Sequence, residues 1–490
     1  MSAMDSDFDV LIVGAGISGL DAAVHLRQQC PGKRIVILEA QAGHGGTWRT
    51  HRYPGIRSDS DLFTFGYGFK PWMGKPIATA AEIQQYLAEV IDEHRLAPHI
   101  RYDHRIDAAS WDGATRRWTV QATHEGQAQR LTARFLFMCQ GYYRHAKGYT
   151  PQWPGMDSFQ GRIVHPQTWP EDLDLAGRKV VVIGSGATAA TLIPAIAGAC
   201  AHVTMLQRSP TYFITGRNSN DLADMLRQLD IPAEWTHEIV RRKVLFDQAA
   251  FTRRCVAEPE VVRKELLAGV RVALGPGHEA EVEEHFSPRY RPWQQRIAFV
   301  PDSDLFRCVR EGRASVVTDQ IEGFEAGGLR LKSGRLLEAD VVVTATGFEL
   351  NVLGDIRFAV DGQPLDFAQS VGWHGAMFTG VPNLAWVFGY FRASWTLRAD
   401  LLSAFVCRLL QHMDARSSQV VVPALRPQDQ GMALKPWVEA DNFNPGYLQR
   451  GVHLLPHQGS HPPWLHRQDY ALDKDELPRA DLDDGSLVYD

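Results

Sequence analysis

Short unbroken apolar runs punctuate the chain, and most of them end on a glycine or small-residue turn. They are Val10-Leu-Ile-Val13, Ile35-Val-Ile-Leu38, Phe135-Leu-Phe-Met-Cys139, Val180-Val-Val-Ile183, His202-Val-Thr-Met-Leu206 and Ala339-Asp-Val-Val-Val-Thr344. Runs of this length, rich in β-branched residues and bounded by turn residues, predict buried strands. After the first and fourth runs the pattern changes to helical spacing, as in Leu20-Asp-Ala-Ala-Val-His-Leu26. Between about 216 and 290 the chain is charged and helical in pattern, for example over 238–253 and 261–273, and reads as an insertion. Strands resume near Ala314-Ser-Val-Val317. Ala385-Trp-Val-Phe-Gly-Tyr-Phe391 and a helix over 401–412 then need a sheet to pack on, which requires the chain to return to its first domain. The acidic stretch 473–490 is expected to be a solvated, partly frayed end.

Two of the strand-to-helix turns carry chemistry. The first reads Gly14-Ala-Gly16-Ile-Ser-Gly19. Gly14 allows the turn, Gly16 lets a pyrophosphate approach the backbone, and Gly19 lets helix and strand pack closely, so phosphates rest on the helix N-terminus. The next strand delivers Glu39, placed to accept hydrogen bonds from a ribose, and Ser18 offers a backbone or hydroxyl contact to phosphate. The second turn reads Gly184-Ser185-Gly186-Ala187-Thr188-Ala189, with alanine at the third glycine position. Its following strand ends in Gln207-Arg208-Ser209 instead of an acid. A carboxylate there would repel a 2′-phosphate, whereas Arg208 can pair with one through two hydrogen bonds, so this site predicts NADPH. Ala345-Thr346-Gly347 closes a buried strand on small residues and brings backbone amides near a cofactor.

Composition narrows the class. The 490 residues are too many for one simple core, and 44% hydrophobic with 22% charged residues suits a globular enzyme. Net charge is −6, and the last twenty residues hold seven acids against two bases, so the remainder is close to neutral and no basic surface argues for nucleic acid. The six cysteines contain no Cys-x-x-Cys pair, which points to reduced thiols and away from both a zinc site and a redox disulfide. The N-terminus lacks a basic leader and no apolar run reaches spanning length, so the expected location is the cytoplasm and no transmembrane segment is expected.

Between the two fingerprints lies Phe159-Gln-Gly161-Arg-Ile-Val-His165-Pro-Gln-Thr-Trp169-Pro170. Together these features resemble the class B flavoprotein monooxygenases, and within them the Baeyer–Villiger monooxygenases, whose signature Phe-x-Gly-x-x-x-His-x-x-x-Trp-Pro is matched throughout. The tryptophan at 169 favours that branch over the flavin-containing monooxygenases. A second signature is matched at Gly46-Thr47-Trp48, Tyr53-Pro54-Gly55 and Asp59. The stretches Tyr53-Pro-Gly-Ile-Arg-Ser-Asp-Ser-Asp61, Pro292-Trp-Gln-Gln-Arg296 and Ala393-Ser-Trp-Thr-Leu397 resemble the ethionamide-activating subgroup.

The resemblance covers essentially the whole chain. It implies an α/β fold with two Rossmann-like dinucleotide-binding domains, for FAD and NADPH, and a helical insertion. The expected layout is an FAD-binding part over 1–145, linker and NADPH-binding part over 146–215, insertion over 216–295, a second NADPH-binding part over 296–370, and a second FAD-binding part with the acidic tail over 371–490.

It further implies that Arg296 is the active-site arginine and that Asp59 holds it beside the flavin. Physical chemistry supports the choice: oxygen transfer to a ketone develops negative charge on oxygen, which a guanidinium that cannot lose its proton stabilises. Gly46, Thr47 and Trp48 are expected at the flavin arm and ring, with Arg57 and Ser58 on the same loop as Asp59. Ile106 matches a position where family backbone meets the FAD adenine, and His165 is read as structural. The expected activity is insertion of one atom of O2 beside a ketone carbonyl, giving esters or lactones, with S-oxygenation of sulfides or thioamides as a companion. The alternatives are a heteroatom monooxygenase and, more remotely, a noncatalytic flavoprotein sensor. No metal is needed. Apolar and aromatic residues such as Trp72, Phe391 and Trp395 could line a pocket, with ordinary core as the first reading of each.

Overall fold

The structure, a computed structural model, describes residues 6–490. The first sheet is built around Asp7–Val13, flanked by Ile35–Leu38 and then Ile100–Arg101 on one side and by Gln127–Met138 on the other, all parallel. Its strands alternate strictly between two cores. Val10 and Ile12 pack with Leu20 and Val24 of the helix Ile17–Gln29 and with Leu402 and Val406 of the helix Trp395–Ala415. Leu11 and Val13 point to the opposite face, among Leu136, Met138 and Trp386. Burial on both faces explains why these strands read as unbroken apolar runs.

Gln127–Met138 is long enough to serve two neighbours. Its first half pairs antiparallel with Arg117–His124, while its last residues pair parallel with Leu384–Trp386, the returning chain.

The second sheet is fully parallel, in the order Ala314–Thr318, His202–Gln207, Lys179–Ile183, Val341–Thr344 and Arg162–Val164. One face carries the helices Ala187–Ile196 and Asp304–Arg310. The other is covered by an antiparallel meander of Ile321–Glu325, Gly328–Leu331 and Leu336–Glu338. The helices of the 216–290 region run Asp221–Gln228, Ala233–Ala257, Pro259–Leu274 and Glu279–His285. Pro259 opens the third of them at a first-turn position, where its missing N–H costs nothing.

The chain passes between the sheets twice, along Tyr143–Gly148 and Phe348–Leu350, and these two crossings pair antiparallel with each other. The return comes earlier than the expected boundary at 371, because Arg357–Val360 already pairs with Arg105–Asp112 in the first sheet. This four-residue strand was invisible to the pattern.

The expectation of a frayed tail is also corrected. Leu487–Tyr489 pairs with Val421–Pro423, and Leu477, Leu482 and Leu487 are buried. Asp473 accepts hydrogen bonds from Tyr390 Oη (2.6 Å) and from Arg398 Nη1 (2.5 Å), and Arg398 is itself 1% exposed. A buried cation without that carboxylate would be strongly destabilising, so the acidic tail is held by charge pairing as well as by its leucines. Among the described residues no helix is long and apolar enough to cross a membrane.

Candidate active site

The first glycine turn is a cradle. Gly14 adopts φ +98°, and a Cβ on Gly19 would lie 1.8 Å from the Gly14 carbonyl oxygen, so both glycines are dictated by the protein's own packing. Gly16 differs: a Cβ there would meet nothing closer than Gly46 Cα at 3.7 Å. Space beside Gly16 is thus available between two glycine loops, which are tied by a hydrogen bond from Gly45 N–H to Ala15 C=O (3.0 Å). Glu39 is 5% exposed and accepts from the backbone N–H of Ala15 (2.7 Å) and Gln41 (2.8 Å). Burial raises its pKa, and the N–H groups at its oxygens partly oppose that shift. Ile106 is buried on Arg105–Asp112, and the neighbouring His104 N–H bonds to the Glu39 carbonyl (2.8 Å), so this segment borders the same corner. Thr47 and Trp48 begin the short helix Thr47–Thr50, and Trp48 stands edge-on to Phe65.

Ser18 Oγ accepts a hydrogen bond from Trp395 Nε1 (2.8 Å). Trp395 in turn stacks on Tyr142, with ring centroids 4.9 Å apart and planes 8° from parallel. The tryptophan expected to be core therefore joins the glycine turn to the active-site wall, whereas Trp72 and Phe391 are buried at 7% and 4%.

At the second turn Gly184 has φ +121° and a Cβ would lie 2.3 Å from the Ala345 carbonyl oxygen, while a Cβ on Gly186 would meet nothing within 4 Å. Ala189 is fully buried against the sheet, Ala187 begins the helix, and Thr188 hydrogen-bonds the Tyr53 hydroxyl. Ser185 Oγ reaches Ser209 C=O (3.4 Å) and Thr211 Oγ1 (2.8 Å), fixing the loop that carries Arg208. Arg208 and Ser209 are exposed. Gln207 faces inward: its amide donates to His285 C=O (2.6 Å) and Thr318 Oγ1 (2.9 Å), so its donors serve the protein interior.

Arg296 and Asp59, 237 positions apart, form a bidentate pair, Nε to Oδ2 at 2.6 Å and Nη2 to Oδ1 at 2.8 Å. Nη1 donates to Phe391 C=O (3.2 Å) and Nη2 also to Ser60 Oγ (3.3 Å). Burial alone would lower the arginine pKa; the Asp59 carboxylate more than reverses this, so the guanidinium is permanently charged. The Arg296 side chain nevertheless keeps 37% of its surface accessible.

On the same loop Ser58 is buried and pairs with Ala78 through N–H to C=O (2.8 Å), and Arg57 is committed to Asp304 (2.6 and 3.2 Å) across the domain seam. Gly55 closes that seam: at φ +75° its Cβ would lie 2.6 Å from Ala195 Cβ on the helix of the second turn.

The segment between the fingerprints is structural in its contacts. Gly161 is required because a Cβ would lie 2.3 Å from Asp340 C=O. His165 Nδ1 accepts from Gln167 N–H (3.1 Å), which leaves Nε2 as the donor to Gly347 C=O (3.2 Å). Burial lowers its pKa, and the neutral tautomer pins the crossing strands together. Gly347 itself has φ +99° and also accepts from Tyr149 N–H (3.0 Å).

Three tyrosines went unremarked in the sequence: Tyr142, Tyr143 and Tyr447, whose hydroxyls meet beside Arg296. The first two lie directly after the strand ending at Met138, outside the carboxyl end of a parallel sheet, where ligands of such folds bind. That position was the available signal.

Two glycine turns that each follow a parallel strand and open a helix, with a buried carboxylate beside the first, define a flavoprotein that binds two dinucleotides. The profile of the pyridine nucleotide-disulphide oxidoreductases matches residues 8–253. All six cysteines are free, so that family's fold is present here without a disulfide.

The chain is 45% identical over 488 residues to the FAD-containing monooxygenase EthA of Mycobacterium tuberculosis (strain ATCC 25618 / H37Rv), covering 99% of this chain and 98% of that protein. It is 43% identical to the probable FAD-binding monooxygenase AlmA of Acinetobacter baylyi, covering 99% and 97%. The chain belongs to the family of EthA-type FAD-containing monooxygenases. Its fold is shared with a steroid monooxygenase bound to NADP (TM-score 0.77, 23% identity, 99% of both chains). A cyclohexanone monooxygenase bound to ε-caprolactone is also similar (TM-score 0.73, 19% identity, 99% and 100%).

Proposed function

We propose that this monooxygenase uses FAD and NADPH to insert one oxygen atom of O2 beside a ketone carbonyl, with S-oxygenation of sulfides or thioamides as a second activity of the same site. The observation that carries the reading is the Arg296–Asp59 pair: a cation held by two hydrogen bonds yet still accessible, and linked through Tyr142 and Trp395 to the turn that suits a flavin.

FAD fits the first cradle, where Gly16 and Gly46 leave room for a pyrophosphate and Glu39 faces the ribose. NADPH fits the second, where Gly186 is open and Arg208 is free to take a 2′-phosphate, with Ser185, Ala187, Thr188 and Ser209 around the phosphates. The reduced flavin, once charged with electrons from NADPH, supplies the oxygen chemistry. The protein supplies position and electrostatics. Arg296 stabilises the negative charge that gathers on oxygen as the carbonyl is attacked, and its pKa keeps it cationic throughout the working range. Asp59 fixes the direction of the guanidinium. Arg57 with Asp304, Gly55 and His165 hold the two domains in register so that both nucleotides address one cleft.

S-oxygenation builds no alkoxide and makes less demand on Arg296. Six free cysteines, most of them buried, support a reducing compartment, and we place the protein in the cytoplasm. The test is oxygen and NADPH consumption against a panel of ketones and sulfides with product identification. Esters from ketones support the reading, whereas sulfoxides alone would make the protein a heteroatom monooxygenase.

A further inference from the structure

Tyr142, Tyr143 and Tyr447 form a cluster that the fingerprints do not account for. The Tyr142 hydroxyl contacts that of Tyr143 and lies 3.5 Å from that of Tyr447. The rings are held from outside: Tyr142 stacks on Trp395, Tyr143 packs on Phe348 at 4.3 Å, and Tyr447 stands edge-on to Tyr143 at 5.5 Å. All three are partly exposed although they sit among the buried apolar residues Phe388 and Leu448, as is Arg296. Side chains that are held by packing and still accessible can meet a ligand. Burial raises the pKa of each phenol, so all three remain protonated donors, even with the Arg296 charge nearby on Tyr142 and Tyr447.

The three hydroxyls contact one another pairwise, and the Tyr142–Tyr447 contact, at 3.5 Å, lies at the outer limit of hydrogen bonding. The proton of that long contact can turn to a better acceptor on a ligand. A neutral donor beside a fixed cation, on an aromatic wall, is the arrangement that reads a single hydrogen-bond acceptor on an apolar body. Sulfides present no such acceptor; ketones, and thioamides more weakly, do.

We propose that Tyr142, Tyr143 and Tyr447 are the acceptor-reading end of the substrate site, donating a hydrogen bond to the carbonyl oxygen of an apolar or aromatic ketone while Arg296 faces the developing charge. This deepens the proposed function and rests on it for the location of the substrate. The phenols also explain why Trp395 is placed as it is: by stacking on Tyr142 and bonding to Ser18, it ties the carbonyl end to the flavin turn.

The experiment compares the wild-type holoenzyme with Tyr447→Phe and Tyr142→Phe, which keep the rings and remove one hydroxyl each. The probes are acetophenone and thioanisole, similar in shape but with and without a carbonyl. Binding is read from the perturbation of the flavin absorbance spectrum, which needs no turnover, and kcat/KM is measured in parallel. The expected result is a roughly five- to hundredfold weaker acetophenone Kd in at least one variant, the cost of leaving a buried acceptor unpaired. Thioanisole binding and NADPH-dependent flavin reduction should be unchanged.

Equal weakening of both probes would reduce the tyrosines to packing, and unaltered acetophenone binding in both variants and in the double variant would overturn the proposal. If the wild type binds acetophenone but forms no phenyl acetate, the Baeyer–Villiger reading fails, while the Kd ratios still decide the role of the tyrosines. Should the wild type not bind acetophenone at all, the proposal is overturned as well.

Discussion

Asp59→Asn isolates what a carboxylate does for Arg296. In the native protein that carboxylate accepts two charge-assisted hydrogen bonds, at 2.6 and 2.8 Å, while the remaining anchors, Phe391 C=O at 3.2 Å and Ser60 Oγ at 3.3 Å, are longer and neutral. A hydrogen bond to a charged group is worth about 1.5–3 kcal/mol. Asparagine is nearly isosteric and can keep one of the two through its carbonyl oxygen. The two side chains are also 37% and 32% accessible, so solvent screens part of the loss. A net loss of about 1–2 kcal/mol in orienting the guanidinium follows, which lowers the rate of the step that needs it by roughly five- to thirtyfold.

The glycine cradles are untouched by this change, so FAD content and reduction by NADPH should stay at wild-type values. Ester formation should fall by the stated factor, and hydrogen peroxide should account for the missing oxygen. Arg296→Ala, which removes the cation itself, should cost more, at least about a hundredfold. Stopped-flow reduction and product analysis on both variants check this order. A normal ester yield in Asp59→Asn, or a defect confined to reduction, would refute the claim that Asp59 positions Arg296 for oxygen transfer.

Gly16→Ala should fold normally, because its Cβ meets nothing closer than 3.7 Å, yet lose FAD; Gly19→Ala, whose Cβ lies 1.8 Å from Gly14 C=O, should fail to give soluble folded protein. Flavin content and circular dichroism separate the two outcomes. Asp473→Ala should lower stability by about 3–5 kcal/mol because it strands the buried Arg398, whereas a frayed tail would show no change in melting temperature. Asp21, fully buried, has its carboxyl pushed up to about 7, chiefly by burial; His25 lowers it and Asp400 raises it further. Because the folded pKa lies above the unfolded one, the native state holds this proton more tightly, and the group's contribution to stability is lost as pH rises from about 4 to 7. Asp21→Asn should therefore leave stability near pH 4 unchanged and raise it at pH 8 by at most about 4 kcal/mol; an equal shift at both pH values would exclude titration of Asp21 as the cause.

The parts legible in the sequence are those whose physics is local. A strand, a glycine turn and a helix must be consecutive to make a phosphate cradle, so Gly14 to Gly19 and Gly184 to Ala189 could be read directly. The pair of Arg296 and Asp59 is not local, and only the family resemblance joined two residues 237 positions apart. What remained hidden depends on partners that composition cannot supply. The tail's seven acids read as solvated charge, because an aspartate with a buried arginine and one in water look alike in a sequence. Asp473 became visible only once Arg398, on a helix 75 residues earlier, was seen to need it. The same reasoning applies to Trp395 and the tyrosines. An aromatic residue next to a signature reads as core until its polar atom is found bonded to the flavin turn. The most informative residues of this site are therefore the ones whose ring is packed while their hydroxyl or N–H meets a polar partner at the site.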